Sequence, residues 1–455
     1  MNTNDDIRPP APQSRRQFLK SSSALAAGSA LAGTLALPRA GYTAEDNTIK
    51  VALVGCGGRG TGAAANALST SGPTKLWALA DVFPQKVAAS LQNLSRQFAG
   101  KIEVSAERQF AGFDGYKKAI DSLGKGGLVL LATPAAFRPG HFAYAVEKGV
   151  HVFMEKSFAV DAPGIKRVLK CGELAAQKNL KVAGGLMWHH NKPRQEAIRR
   201  IHDGAIGDLI TLRTYRMHGP VGFRPRQPNE SLLANQISNY SSFNWLNASF
   251  YVDWLIHNIA VCCWAKDAWP VSAQGMGGRQ TRTEPDEMWD HYLVEYTFAD
   301  GAKLFAQARH MTGCYDIFSD FAHGSKGSAV LMENLSRPHS RIYRGQVQTR
   351  ENEIWRYQGP EPDDYQVEHD LLFEAIRQDK PYNETERCAK ACLASILGRM
   401  ACYSGQLVTW DDAMGSTLEL APGIENWKTL DATPPIVPDA QGRYVIPMPG
   451  ITKAF

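Results

Sequence analysis

Two short stretches carry side chains whose type and spacing suit proton transfer. In "FYVDWLIHN", residues 250–258, Asp253 and His257 are four positions apart. On a helix such a pair shares one face, with about 6 Å between the side-chain origins. A carboxylate so placed can hold one imidazole tautomer while the other ring nitrogen meets a hydroxyl. The same spacing also serves as a plain helix-stabilising contact. In "HVFMEKSFAVD", residues 151–161, Lys156 follows an apolar run, with Glu155 beside it. A lysine there is either a reacting group or a solvated charge at a strand end.

These side chains need a scaffold, and the sequence supplies one in "NTIKVALVGCGGRGTGAAANAL". Residues 49–54 read as a buried strand, short, apolar and rich in β-branched residues. Gly55, Gly57 and Gly60 then give G-x-G-x-x-G, with Gly58 and Arg59 inside the loop and an alanine-rich helix after it. Between strand and helix the pattern has mechanical sense: tight turn, backbone approach to a pyrophosphate, and close packing of helix on strand. The helix N-terminus offers unpaired N–H groups to the anion. A second strand, 75–80, ends in Asp81, about 20 residues past the last glycine, where a carboxylate accepts from an adenosine ribose. It would repel a 2′-phosphate, and Lys86 is the only cation in "DVFPQK". NAD is therefore favoured over NADP. Asp81 could equally cap the turn after its strand.

Strand and helix keep alternating: helix 114–122, strand 128–132, helix 142–148, strand 150–154. Such units build a parallel sheet with helices on both faces, and ligands sit at the carboxyl ends of its strands. Thr133, Pro134, Glu155 and Lys156 fall at those ends. Strand 181–183 is the last expected in this sheet, and "GGLMWHHNKP" then opens a second domain. Trp188, His190 and Asn191 would line a substrate pocket or else pack between domains. Strands at 208–217, 271–278, 292–298 and 302–309 follow, the last two a hairpin around Asp300-Gly301. The fold expected is an α/β Rossmann dinucleotide-binding domain, residues 47–186, followed by an α+β domain with a largely antiparallel sheet, 187–455. Residues 219–245, with three prolines, read as a long loop over the site. Helices are expected at 370–378 and 387–403, and the tail from Thr409 as mostly loop.

Taken together, the glycine fingerprint, "ATP" at 132–134, His141, "HVFMEK" and "VDWLIHN" resemble the Gfo/Idh/MocA oxidoreductases. The closest likeness is to exported planctomycete-type members, and it runs from about Ile49 to about Leu331. The resemblance implies that Lys156 works at the reacting hydroxyl beside the nicotinamide and that His257 exchanges the hydroxyl proton. Asp253 would orient that histidine or contact the substrate. It also groups His141 with the cofactor-binding residues. A desolvated lysine near a cationic ring has its charged form disfavoured and can act as a base. Ser157 stands where the family has proline, a position that shapes the turn.

The N-terminus explains the charge. "SRRQFLK", residues 14–20, precedes a mild Ala/Gly/Ser-rich apolar stretch, and together they resemble a twin-arginine export signal. Residues 1–44 are read as this signal, with Ala40 or Ala44 at the cleavage point. Of the formal net charge of +5, residues 1–44 hold +3 (Arg8, Arg15, Arg16, Lys20 and Arg39 against Asp5 and Asp6), which leaves +2. A nearly neutral mature chain argues against nucleic-acid or anionic-membrane partners. No second long apolar run anchors it in a bilayer. The eight cysteines and twelve histidines show no metal spacing, so no metal is expected.

The expectation is a periplasmic, twin-arginine-exported, NAD-dependent oxidoreductase acting on a carbohydrate hydroxyl. It would bind its cofactor before export and assemble as a homo-oligomer. The alternative, with the same Lys156 and His257, is glycoside cleavage by transient oxidation, elimination and hydride return.

Overall fold

The computed structural model describes residues 47–334 and 339–455, so the expected signal, residues 1–44, lies outside it. Among the described residues, six parallel strands form the first sheet: β1 Ile49–Val54, β2 Thr74–Asp81, β3 Gln109–Ala111, β4 Leu128–Leu131, β5 His151–Met154 and β6 Val182–Gly184. Their spatial order is β3-β2-β1-β4-β5-β6. Leu53 of β1 lies opposite Leu79 on one side and Leu130 on the other. Strand order therefore reverses between β1 and β4, which opens a crevice above their carboxyl ends.

The sequence produces this sheet because each central strand is apolar on both faces. On one face Val51, Leu53 and Leu130 pack with Ala63, Ala64 and Ala67 of the helix Gly58–Ser69. On the other, Ala52, Val54 and Leu131 pack with Ile120 and Phe142. Leu372 and Phe373 join the first of these clusters from the helix Asp364–Arg377, far along the chain. Asn47–Phe455 forms one compact unit.

The second sheet has nine strands among the described residues: β7 Leu209–His218, β8 Ser272–Gly278, β9 His291–Thr297, β10 Lys303–His310, β11 Ile317–Gly324, β12 Gly327–Glu333, β13 Arg341–Arg344, β14 Glu353–Arg356 and β15 Val408–Thr409. They run in the order β14-β13-β12-β11-β7-β10-β9-β8-β15. Only the β7–β10 pair is parallel, so the sheet is largely antiparallel. The expected hairpin is β9–β10. Strands β11 to β14 go beyond the sequence reading, because residues such as "IFSDFAHG" interrupt the apolar alternation with polar groups that find buried partners. Asp320, for example, accepts from Thr214 at 2.6 Å and from Asn258 at 2.8 Å.

The helix Phe250–Lys266 packs on this sheet and against the helix Thr385–Ser404. It is buried on nearly every side, as its almost uninterrupted apolar sequence requires. Ser249 caps its start, accepting from Val252 N–H at 3.2 Å. The expected loop 219–245 is in part helical. Leu233 and Ile237 bury one side of the helix Leu232–Ser238, and Ser231 caps it. The closing helices start earlier than expected, at Asp364 and Thr385. Beyond Trp410–Gly415 the tail is mostly irregular, as expected.

Candidate functional site

The crevice is walled by the loop after β1, the ends of β2, β4 and β5, and segments from much later in the chain. Gly55 has φ +99°, and a Cβ there would lie 2.6 Å from the Ala132 carbonyl carbon. A Cβ on Gly60 would stand 1.9 Å from the Gly55 oxygen. Both positions thus require glycine for close approach of strand, loop and helix. Gly57 and Gly58 differ: nothing lies within 4 Å of an added Cβ, so their backbone faces open cleft. Gly57 caps the helix Gly58–Ser69 without a side-chain bond to its N–H groups.

Asp81 closes β2 and lines the cleft. One of its oxygens accepts from Cys56 N–H at 2.7 Å and the other from Phe83 N–H at 3.0 Å. The carboxylate therefore caps its own turn and ties down the glycine loop while facing the cleft. Thr133 and Pro134 line the same cleft after β4. Buried Arg138 fixes that turn by donating to the Leu131 and Thr133 carbonyls at 2.7 and 2.5 Å. Thr133 Oγ1 and His141 Nδ1 are 3.3 Å apart. Burial, then the charge of Arg138, pushes His141 down to about 3, so its imidazole is neutral.

Glu155 and Lys156 follow β5, and the Lys156–Ser157 peptide is cis. Arg59, from the glycine loop, donates to Glu155 Oε1 at 2.5 Å and lies over the Tyr365 ring. Its Nη2 is 3.8 Å from Glu368 Oε1. Burial opposes the Arg59 charge, but Glu155 and Glu368 outweigh it and its pKa rises. Glu368 is fully buried and accepts no hydrogen bond. Burial, then the Glu155 charge, holds its carboxyl well above the usual range. It lies behind the Arg59–Glu155 pair.

Lys156 Nζ donates to Asp253 Oδ1 at 2.8 Å and to the Asp253 carbonyl at 2.7 Å. Asp253 thus reaches across the cleft to the lysine. Among the described residues the expected bond to His257 is not formed, and His257 Nδ1 is buried without a partner. Burial, then the positive charges of Lys156 and Arg216, drives the His257 pKa well below its ordinary value. Its ring lies 5.1 Å from that of Trp188, whose indole is flanked by Phe318 at 5.3 Å and the Arg194 guanidinium at 4.2 Å.

The structure therefore brings Lys156 and Asp253 together in the glycine-loop cleft, while His257 and Trp188 are buried against each other and do not line it. It takes His190 and Asn191 elsewhere. His190 Nε2 sits 3.5 Å from Glu384 Oε1. Asn191 caps the helix Lys192–His202, accepting from Arg194 N–H at 3.1 Å, and donates to Asp364. The opposite wall is formed by Ile237 and Tyr240, both in the stretch 219–245 expected over the site, and by Asn247, Ile424 and Glu425, which sequence reasoning missed. These residues sit in irregular or short elements with no motif of their own. The charge of Asp253, then burial, pushes the Tyr240 phenol up to about 12, so it stays a hydrogen-bond donor.

Residues 12–32 match the family described as the TAT (twin-arginine translocation) pathway signal sequence. No curated protein matches the chain. Solved structures do. Aldose-aldose oxidoreductase from Caulobacter crescentus is 18% identical over 80% of this chain and 99% of its own, with a TM-score of 0.61. A levoglucosan dehydrogenase in complex with NADH and levoglucosan gives 18%, 80%, 99% and 0.60. Scyllo-inositol dehydrogenase from Lactobacillus casei, with NAD(H) and scyllo-inositol, gives 19%, 80%, 99% and 0.59. The chain has the fold of these proteins: a parallel Rossmann-type sheet followed by a mostly antiparallel one.

Proposed function

We propose that this protein is an exported, NAD-dependent oxidoreductase acting on a carbohydrate hydroxyl in the periplasm. The observation that carries the reading is the Lys156–Asp253 ion pair in the glycine-loop cleft, with buried His257 near enough to feel the lysine's charge. The cleft suits a dinucleotide: Gly57 and Gly58 face it with bare backbone, and Asp81 stands where a ribose would be held. That carboxylate favours NAD over a cofactor with a 2′-phosphate. The solved structures of like fold that hold NADH or NAD(H) with a sugar or a cyclitol support the same chemistry.

A bound nicotinamide would supply the hydride acceptor. The protein's task is to aim one C–H bond at it and take the proton from the attached oxygen. Asp253 fixes the Lys156 ammonium by two bonds, so that ammonium can donate to the hydroxyl oxygen and hold it in place. His257, one helical turn along from Asp253, would take the proton as the hydride leaves.

The test uses mature protein without added nicotinamide, in D2O, with free sugars and glycosides, read by mass spectrometry. An uncleaved keto-sugar formed up to one per enzyme, then catalytically once an acceptor sugar is added, is the expected result. Cleaved sugar carrying carbon-bound deuterium would instead assign oxidation–elimination at the same residues. Neither product, from protein that binds no dinucleotide, would end the proposal.

A further inference from the structure

The tail carries an unexpected arrangement. After the helix Trp410–Gly415 the chain runs back to the first sheet, where Leu420 N–H donates to Asp161 Oδ2 at 2.8 Å. Glu425 then pairs with Arg167 of the helix Ala162–Gln177. Ile424 and Glu425 form part of the cleft wall, on the cleft that Asp81, Phe113 and Asp114 also line. Trp427 packs its ring 5.6 Å from Phe113, 6.3 Å from Phe137 and 5.5 Å from Trp245. Past the cleft the chain is tied to the other bank. Ser231 donates to the Leu430 carbonyl, and Gln236 donates to that of Ile436 at 3.0 Å.

The segment is thus anchored on both sides of the cleft and meets it at Ile424 and Glu425, with Trp427 packed on two of the aromatic rings that line it. Trp427 is not an ordinary core residue, because two of its three ring partners, Phe113 and Phe137, themselves line the cleft. A ligand lying along the glycine loop with its ribose at Asp81 would have its adenosine end against this segment.

We propose that residues 418–437 are a strap belonging to the dinucleotide site, in which Ile424, Glu425 and Trp427 close the adenosine end and make the cofactor non-exchangeable. This rests on the reading of the cleft as an NAD site. Its consequence is kinetic. A strap anchored on both banks slows departure of the ligand more than it alters the contacts of the bound state, and affinity differences between related complexes lie mostly in dissociation. An exported protein that keeps its cofactor has no need of a nicotinamide pool outside the cytoplasm.

The experiment measures two quantities on full-length protein purified without added nicotinamide. One is dinucleotide retained per chain after gel filtration, released by heat and quantified by mass spectrometry. The other is the rate at which bound NAD exchanges with isotope-labelled NAD. Wild type should retain close to one equivalent. Trp427→Ala should exchange at least about tenfold faster, and Trp427→Phe should restore slow exchange. Arg167→Ala loses only an exposed ion pair to Glu425, so it folds whatever the fate of the tryptophan variant, and it should exchange severalfold faster. The melting temperature of dinucleotide-free protein separates a loosened strap from a loosened fold, since Arg167→Ala should leave it unchanged. Variants that hold and exchange NAD like wild type would overturn the strap and leave the cleft reading standing. Wild-type protein that binds no NAD even on titration would overturn both.

Discussion

The two walls of the cleft are built in opposite ways. One wall comes from the ends of four strands of one parallel sheet: Gly55 to Gly60, Asp81, Thr133-Pro134 and Glu155-Lys156. The other is gathered from Ile237, Tyr240, Asn247, Asp253, Ile424 and Glu425, on two short helices, a turn, a long buried helix and the tail. The first wall is backbone geometry and the second is side-chain chemistry. Backbone geometry imposes residue types at fixed offsets, whereas side chains need only arrive.

Lys156→Ala tests whether the two walls act as one site, and it should have the largest effect. Removing a positioned proton-transfer or hydrogen-bonding group costs roughly 10²–10⁴-fold in turnover. Bound dinucleotide should stay near the wild-type level, because the glycine loop is untouched. Unchanged turnover in protein that still holds its cofactor would take the lysine out of the mechanism.

Asp253 sharpens the comparison further. Its sequence partner is His257, one turn along, but its observed partner is Lys156 across the cleft. A double-mutant cycle can apportion this, since neighbours in one network couple by about 0.5–3 kcal/mol while independent groups add. Asp253→Asn should lower kcat/KM by about tenfold or more and be strongly non-additive with Lys156→Ala. With His257→Gln it should be nearly additive. Coupling to the histidine alone would restore the helical pairing.

These cases show what was legible. The Rossmann sheet could be read because its central strands are apolar on both faces and its glycine loop is spaced by sterics, with Gly60 against the Gly55 oxygen. The hairpin β9–β10 could be read from Asp300-Gly301. Strands β11 to β14 could not, because their polar residues are satisfied by partners far away in sequence, such as Thr214 and Asn258 around Asp320. The resemblance put Lys156 and Asp253 in one site but not in contact, for no spacing rule joins residues 97 apart. Asn247 and Glu425 carry no local signal at all.

A smaller effect is expected behind the first wall, at Glu368. Its carboxyl is held well above the usual range by burial and by Glu155. Between the unfolded carboxylate pKa near 4.3 and the raised folded value, the native state binds more protons than the unfolded chain. Stability contributed by this site is therefore present at low pH and is lost as pH rises, by at most about 1.4 kcal/mol per unit. Glu368→Gln keeps the shape without the ionisation. It should melt above wild type at pH 8, with the gap closing toward pH 5. A gap that stays constant or widens on acidification would mean that Glu368 is ionised in the folded protein.

The smallest effect belongs to a residue that the sequence left between the substrate pocket and packing, and that caps a helix in the structure. Asn191 Oδ1 caps the helix Lys192–His202, and its amide ties that turn to Asp364 at 3.0 Å. Asn191→Ala should cost about 0.5–2 kcal/mol, the usual loss for a capping side chain. Asp364 would also lose a donor that helps to solvate its half-buried carboxylate. Since Asn191 does not line the cleft, the loss should appear as a lower melting temperature with KM for the sugar unchanged. A raised KM at unaltered stability would put Asn191 on the substrate side. The second wall would then begin at the turn after β6, one residue past the imidazole that Glu384 holds.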